Sequence, residues 1–78
     1  MISIMWNEWS DGYEGIRRGV ERGSGQHQIQ VWLMPDNSYS WMVERYGGYY
    51  ARGYDCETLE GAFERGREAM RLKMAEVE

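Results

Sequence analysis

The clearest rhythm in the chain lies in its last third, where Leu59, Ala62, Phe63, Gly66, Met70, Met74 and Val77 recur at three- and four-residue steps. That is the period of one helical face, and it predicts an amphipathic helix from about Cys56 to about Ala75. Asp55 stands where an N-cap belongs, Glu57 and Glu60 fall in the first turns, and Arg71 and Lys73 load the opposite end, as the helix dipole favours. Glu64 with Arg67 and Glu68 with Arg71 are i,i+3 pairs, each adding roughly a few tenths of a kcal/mol.

The middle third alternates instead. Ile29, Val31 and Leu33 fall on one side and Gln28, Gln30 and Trp32 on the other, which predicts a strand over 28–34. Pro35-Asp36-Asn37-Ser38 is turn chemistry, Tyr39 to Tyr46 reads as a second strand, and Gly47-Gly48 suits a two-residue type I′ turn into a third strand over 49–54. In the first third, Ile2, Ile4 and Trp6 alternate with polar residues and suggest a strand. Asp11 with Glu14 has capping-box spacing, and Glu14–Arg18 and Arg17–Glu21 are spaced as helical pairs. Gly15 and Gly19 would each cost a helix about 1 kcal/mol, so 11–22 fits either a short helix or an edge strand. Gly23-Ser24-Gly25 is a loop. The pattern as a whole predicts a single α+β domain over residues 1–78: an antiparallel three- to four-stranded sheet with a C-terminal helix packed on one face.

Turn length decides which residues share a face. A two- or four-residue turn at 35–38 pairs Trp32 with Trp41 and Val31 with Met42, and a turn at Gly47-Gly48 pairs Trp41 with Tyr54. One face then carries Ile29, Val31, Leu33, Met42, Ala51 and Gly53, with the helix as its cover. The other carries Gln28, Gln30, Trp32, Tyr39, Trp41, Val43, Arg45, Tyr50, Arg52 and Tyr54, and no carboxylate. That second face is either a wet contact surface or a second core layer under the N-terminal segment with Met5, Trp6, Trp9 and Tyr13. A three-residue turn at Asp36–Ser38 would shift the register by one, moving Trp41 and Val43 to the Ile29/Val31/Leu33 row and leaving mainly Trp32 and Met42 outside.

Composition sharpens this picture. At 78 residues the chain hides only about 60% of its surface on folding, and its four Trp, six Tyr and one Phe build a core from few side chains. A net charge of −4 argues against a dedicated duplex-DNA binder. One Cys excludes an internal disulfide and one His excludes a conventional zinc finger. No apolar run is long enough to span a membrane. The start MISIMWNEWS has neither basic leader nor apolar signal core, so a cytoplasmic location is expected.

The chemistry sought is mostly missing. Cys56 and His27 are the only nucleophile–base pair by type. Nothing in the spacing brings them together, and Asp55 and Glu57 oppose a thiolate at Cys56. Gly23-Ser24-Gly25 lacks the Gly-Lys-Ser/Thr of a phosphate loop. Glu8, Asp11 and Glu14 lack the ligand density of a calcium loop. No catalytic set, cofactor or metal is expected.

Two contact sets remain. Trp32, Tyr39, Trp41, Arg45, Tyr50, Arg52 and Tyr54 are residue types enriched at binding hot spots. Glu57, Glu60, Glu64 and Glu68 fall on one helical face and could imitate a row of phosphates, although a solvated face is the commoner reading. A non-enzymatic protein-binding module follows. The alternative is a single-stranded nucleic-acid binder that stacks bases on Tyr39, Trp41 and Tyr50 near Arg45 and Arg52. In either case an uncovered apolar sheet face would favour a homodimer.

A small acidic α+β chain with an aromatic-rich sheet, a closing helix such as TLEGAFERGREAM and no catalytic set resembles the small phage-encoded inhibitors of bacterial defence, the anti-CRISPR proteins. The resemblance covers size, composition and architecture and includes no motif, so no functional residue is carried over by it. It implies a stoichiometric inhibitor in the host cytoplasm. Such an inhibitor binds a Cas protein or surveillance complex and blocks target DNA recognition or nuclease recruitment.

Overall fold

The computed structural model describes residues 15–77. The expected strand at Ile2–Trp6, the capping pair Asp11/Glu14 and the acidic triplet Glu8/Asp11/Glu14 lie outside the described residues. Strands β1 (Ile16–Arg22), β2 (His27–Leu33), β3 (Tyr39–Arg45) and β4 (Gly48–Cys56) form one antiparallel sheet in chain order. Helix α1 (Leu59–Val77) follows and packs across β2, β3 and β4. The architecture is the α+β arrangement that the periodicities predict.

Residues 16–22 form a strand, at the edge of the sheet among the described residues, rather than the short helix. Arg17 and Glu21 therefore do not pair. A bulge between Arg17 and Gly19 turns Arg17 to the side away from the helix, where it reaches Gln30, while Glu21 meets Arg67 on the helix side. The helix begins later than expected. Thr58, not Asp55, caps it: the Thr58 hydroxyl accepts a 2.9 Å hydrogen bond from the Gly61 N–H. Asp55 instead sits at φ 63° in an irregular stretch of β4, the left-handed conformation that Asp tolerates better than most residues.

Two hairpin turns set the faces. The β2–β3 turn has three residues: Asn37 N–H bonds Met34 C=O at 2.9 Å, and Met34 N–H bonds Ser38 C=O at 2.8 Å. Pro35 and Asp36 occupy the centre of a type I turn, and Asn37 follows at φ 71°, the left-handed residue such a loop needs. Val31 then pairs with Trp41 and Ile29 with Val43, against the expected Trp32–Trp41 pairing. Trp41 and Val43 move to the helix side and Met42 to the other. The helix-side core is Ile29, Val31, Trp41, Val43, Ala62 and Met70, with Tyr39, Tyr50, Ala51, Phe63 and Met74 at its margin.

The β3–β4 turn is shifted too. Tyr46 at φ 55° and Gly47 at φ 86° form its centre, and Arg45 pairs with Gly48. A bulge opposite the Val43/Glu44 step absorbs the offset.

Two glycines let the layers meet. A Cβ at Gly66 would stand 2.6 Å from Ile29 Cγ2, and one at Gly53 would collide with the Trp41 indole. The first allows α1 to lie directly on β2. The second gives the Trp41 ring its bed on β4.

Candidate functional site

The expected wet face does not exist as one surface, because the register divides its members between two sides. Trp41 is 9% exposed under the helix, and Val43 is fully buried beside it. Tyr39 and Tyr50 line the same side, half-buried. Trp32 lies on the opposite side and is also fully buried, packed with Met42 and Met34. The two central tryptophans are therefore core residues, not contacts. Gln28, Gln30 and Arg52 share the Trp32 side, which does contain a carboxylate: Glu44 Oε2 accepts from Gln28 Nε2 at 2.9 Å and Gln30 Nε2 at 2.6 Å.

Other expected contacts are accessible, and they cluster on β4, outermost among the described strands, on the β3–β4 turn and at the end of β3. Tyr54 is 47% exposed. Arg52 is exposed, and its guanidinium lies 5.1 Å from the ring centre of Tyr49, itself 40% exposed. The half-buried Arg45 stacks 4.8 Å from the ring centre of Tyr46 and donates from Nε to the Gly25 carbonyl at 3.1 Å, tying the β1–β2 loop to the β3–β4 turn. Sequence reasoning missed Tyr46, which is 71% exposed, because it was assigned to a strand end. The signal was present: Tyr46 directly precedes a glycine pair, and a shift of one residue puts it at the tip.

The glutamate ridge is only partly built. Glu57 precedes the helix, whereas Glu60, Glu64 and Glu68 lie along α1. Arg67 takes two of them, reaching Glu60 at 2.9 Å and Glu64 at 3.3 Å. It also grips Glu21 of β1 through two 2.9 Å bonds, and Glu68 pairs with Arg71. The Arg67 guanidinium holds the Glu21 carboxyl below its ordinary range, and the glutamates raise Arg67 in turn. These carboxylates are engaged with arginines of this chain, and the ridge joins the helix to the edge strand.

His27 is buried where β2 begins, under the later turns of α1. Its Nδ1 lies 2.8 Å from the Tyr50 hydroxyl, and the two rings meet edge to face. Lys73 Nζ sits 5.5 Å from the centre of the Tyr50 ring. Burial first, then the charges of Arg45 and Lys73, push the imidazole below its ordinary value. Burial likewise raises the Tyr50 phenol. His27 pairs with Arg45 and Cys56 with Tyr39, at opposite ends of β3, so strand geometry separates the two by about 20 Å. They do not form a nucleophile–base couple. Among the described residues no group of three His, Cys, Asp or Glu side chains is placed to hold a metal, and no helix is long and apolar enough to cross a membrane. Compared with known protein families, curated proteins and solved structures, the chain matches none.

Proposed function

We propose that the protein is a non-enzymatic binding module that acts by occupying the surface of a protein partner. Its contact surface is β4, an outer strand among the described residues, with the β3–β4 turn and the end of β3: Arg45, Tyr46, Tyr49, Arg52 and Tyr54. One observation carries the reading. Tyr46, a bulky residue at 71% exposure, is held in the left-handed backbone region at a turn tip, which costs a non-glycine residue about 1–2 kcal/mol. The adjoining Gly47-Gly48 pair would make the same turn without strain. Strain kept in order to display an aromatic ring is the pattern of a functional site, and Tyr and Arg are among the residue types enriched at binding hot spots.

The finer reading is the one the resemblance suggests: a cytoplasmic, phage-encoded inhibitor of the anti-CRISPR kind, directed at a Cas protein or surveillance complex. The test is target-DNA binding by a panel of purified surveillance complexes and Cas nucleases, each mixed with an equimolar amount of the protein. Loss of DNA binding by a member of the panel, with a stable complex on gel filtration, is the expected result. If every member keeps its DNA, the inhibitor reading fails. Binding of a single-stranded oligonucleotide at low salt would transfer the Tyr/Arg surface to the nucleic-acid alternative, because the electrostatic contribution is strongest there.

A further inference from the structure

His27 is the only histidine of the chain, and it is buried, 3% exposed, where β2 begins. Three elements are tied together around it. Its carbonyl accepts a 2.9 Å hydrogen bond from the Gly23 N–H, which closes the β1–β2 loop. Its ring is bonded to the Tyr50 hydroxyl of β4. Its ladder partner, Arg45 of β3, donates to the Gly25 carbonyl and so holds the loop against the β3–β4 turn. A Cβ at Gly25 would stand 3.6 Å from His27 Cδ2 and 3.8 Å from Arg45 Nη2, so the imidazole and the guanidinium lie together beneath the loop.

The charges that bear on the ring are cations: Arg45 of β3 and Lys73 of α1, the latter 5.5 Å from the centre of the Tyr50 ring. Among the described residues no carboxylate forms an ion pair with His27. Arg22 and Glu44 line the same polar cavity of about 190 Å³ as His27, but the Glu44 carboxylate already accepts from Gln28 and Gln30. Glu76 is paired with Lys73. The cavity gives a proton its route from solvent to the ring. Once it takes up that proton, the imidazole is a donor at both nitrogens and carries a full charge. That charge is buried beside two cations with no carboxylate to compensate it, which is a costly arrangement.

The loop and the turn are the parts able to give way. Gln26 at φ 68° and Tyr46 at φ 55° are non-glycine residues in the left-handed region, one on each side of the Arg45–Gly25 bond. Opening that bond relieves their backbone strain. Val31 and Met42, fully buried in the sheet centre, have no such strain to lose. Local opening draws on the least stable parts of a fold, and a buried histidine that charges is a recurrent trigger for it. We propose that His27 is an acid-sensitive latch: its neutral ring keeps the β1–β2 loop closed on the β3–β4 turn, and its protonation releases both before the rest of the domain unfolds. The freed turn is the one that presents Tyr46, but the latch is a property of the fold and does not depend on what β4 binds.

The test is NMR on the isotope-labelled full chain from about pH 7.5 to about pH 4.5, following the imidazole signal and the amide protection of each residue. The single imidazole should titrate below the ordinary 6.5. With the same midpoint, amide protection at residues 26–28 and 45–48 should fall about tenfold or more, while that of Val31 and Met42 is retained. His27→Gln, which cannot take up the proton, should show no such step. Lys73→Gln removes a facing cation and leaves the Arg45–Gly25 bond in place. It should move the imidazole midpoint and the release together to higher pH, and it decides the matter if His27→Gln fails to fold. A midpoint at or above 6.5 overturns the proposal. So does protection kept at 45–48 once the ring is protonated, loss of protection at Val31 and Met42 in the same step, an unchanged step in His27→Gln, or a release that does not follow the imidazole in Lys73→Gln.

Discussion

Trp41 shows how much a single side chain depends on its neighbours. Its residue type suggests a hot spot, and its position under α1, bedded on Gly53, makes it core. Trp41→Ala should cost about 3–5 kcal/mol in urea unfolding, the usual range for truncating a buried aromatic ring. A loss below about 1 kcal/mol would mean that the ring is not packed as described. His27 makes a second prediction at this scale. Its folded-state pKa lies below the ordinary 6.5, so between those values the unfolded chain binds the proton more readily than the folded one. The stability held by the neutral ring is complete above about pH 6.5 and is lost as the pH falls towards the folded value. Arg45 on β3, Tyr50 on β4 and Lys73 on α1 face the ring, and Lys73 in turn lies 3.6 Å from Glu76. Melting temperatures at pH 7.5 and 5.5 should therefore differ less in His27→Gln than in the parent protein. An equal difference in both would remove His27 as the cause.

The elements were legible in the sequence to different degrees. Helix α1 was readable because seven apolar positions repeat at its period and opposite charges sit one turn apart. Strands β2 and β3 were readable from their alternation and the Pro-Asp-Asn-Ser turn. The β2–β3 register was not fixed, because 35–38 accommodates turns of more than one length; Asn37 in the left-handed region chose the three-residue form and reversed the faces of Trp41, Met42 and Val43. The identity of 16–22 was hidden because its Glu/Arg spacing suits a helix equally well. The ladder with β2 and the contact of Glu21 with Arg67, far along the chain, distinguish the two. The candidate site was legible in residue type at Arg45, Arg52 and Tyr54, and illegible at Tyr46, whose exposure follows from a turn shifted by one residue. Gly66 gives the test at this scale. Gly66→Ala gains about 1 kcal/mol of helix propensity, but its Cβ would stand 2.6 Å from Ile29 Cγ2, and overpacking of this kind costs about 1–3 kcal/mol. The variant should be no more stable than the parent protein in urea unfolding. Adding Ile29→Ala should restore part of the loss as a positive coupling in a double-mutant cycle. A stabilised single variant would show that helix and sheet are not in contact there.

At the scale of the whole molecule, the division of labour is simple. The sheet centre and the helix supply stability through Trp32, Trp41, Ile29, Val31 and Met42. The two outer strands among the described residues display charge and rings: arginines on β1, tyrosines with Arg52 on β4. Arg67 ties the helix to the first of these strands, and Arg45 ties the β1–β2 loop to the turn of the second. A domain this small has little stability to spare, so keeping Tyr46 in a strained backbone is a cost that function would have to offset. Tyr46→Asn tests that directly, because it creates the Asn-Gly pair favoured in type I′ turns. Melting temperature and affinity for the partner complex should be measured on the same preparation. The variant should be as stable as the parent or up to about 1 kcal/mol more stable, while binding at least about tenfold more weakly. A clear loss of stability with unchanged affinity would instead make Tyr46 a structural residue, and the binding role assigned to β4 would be wrong.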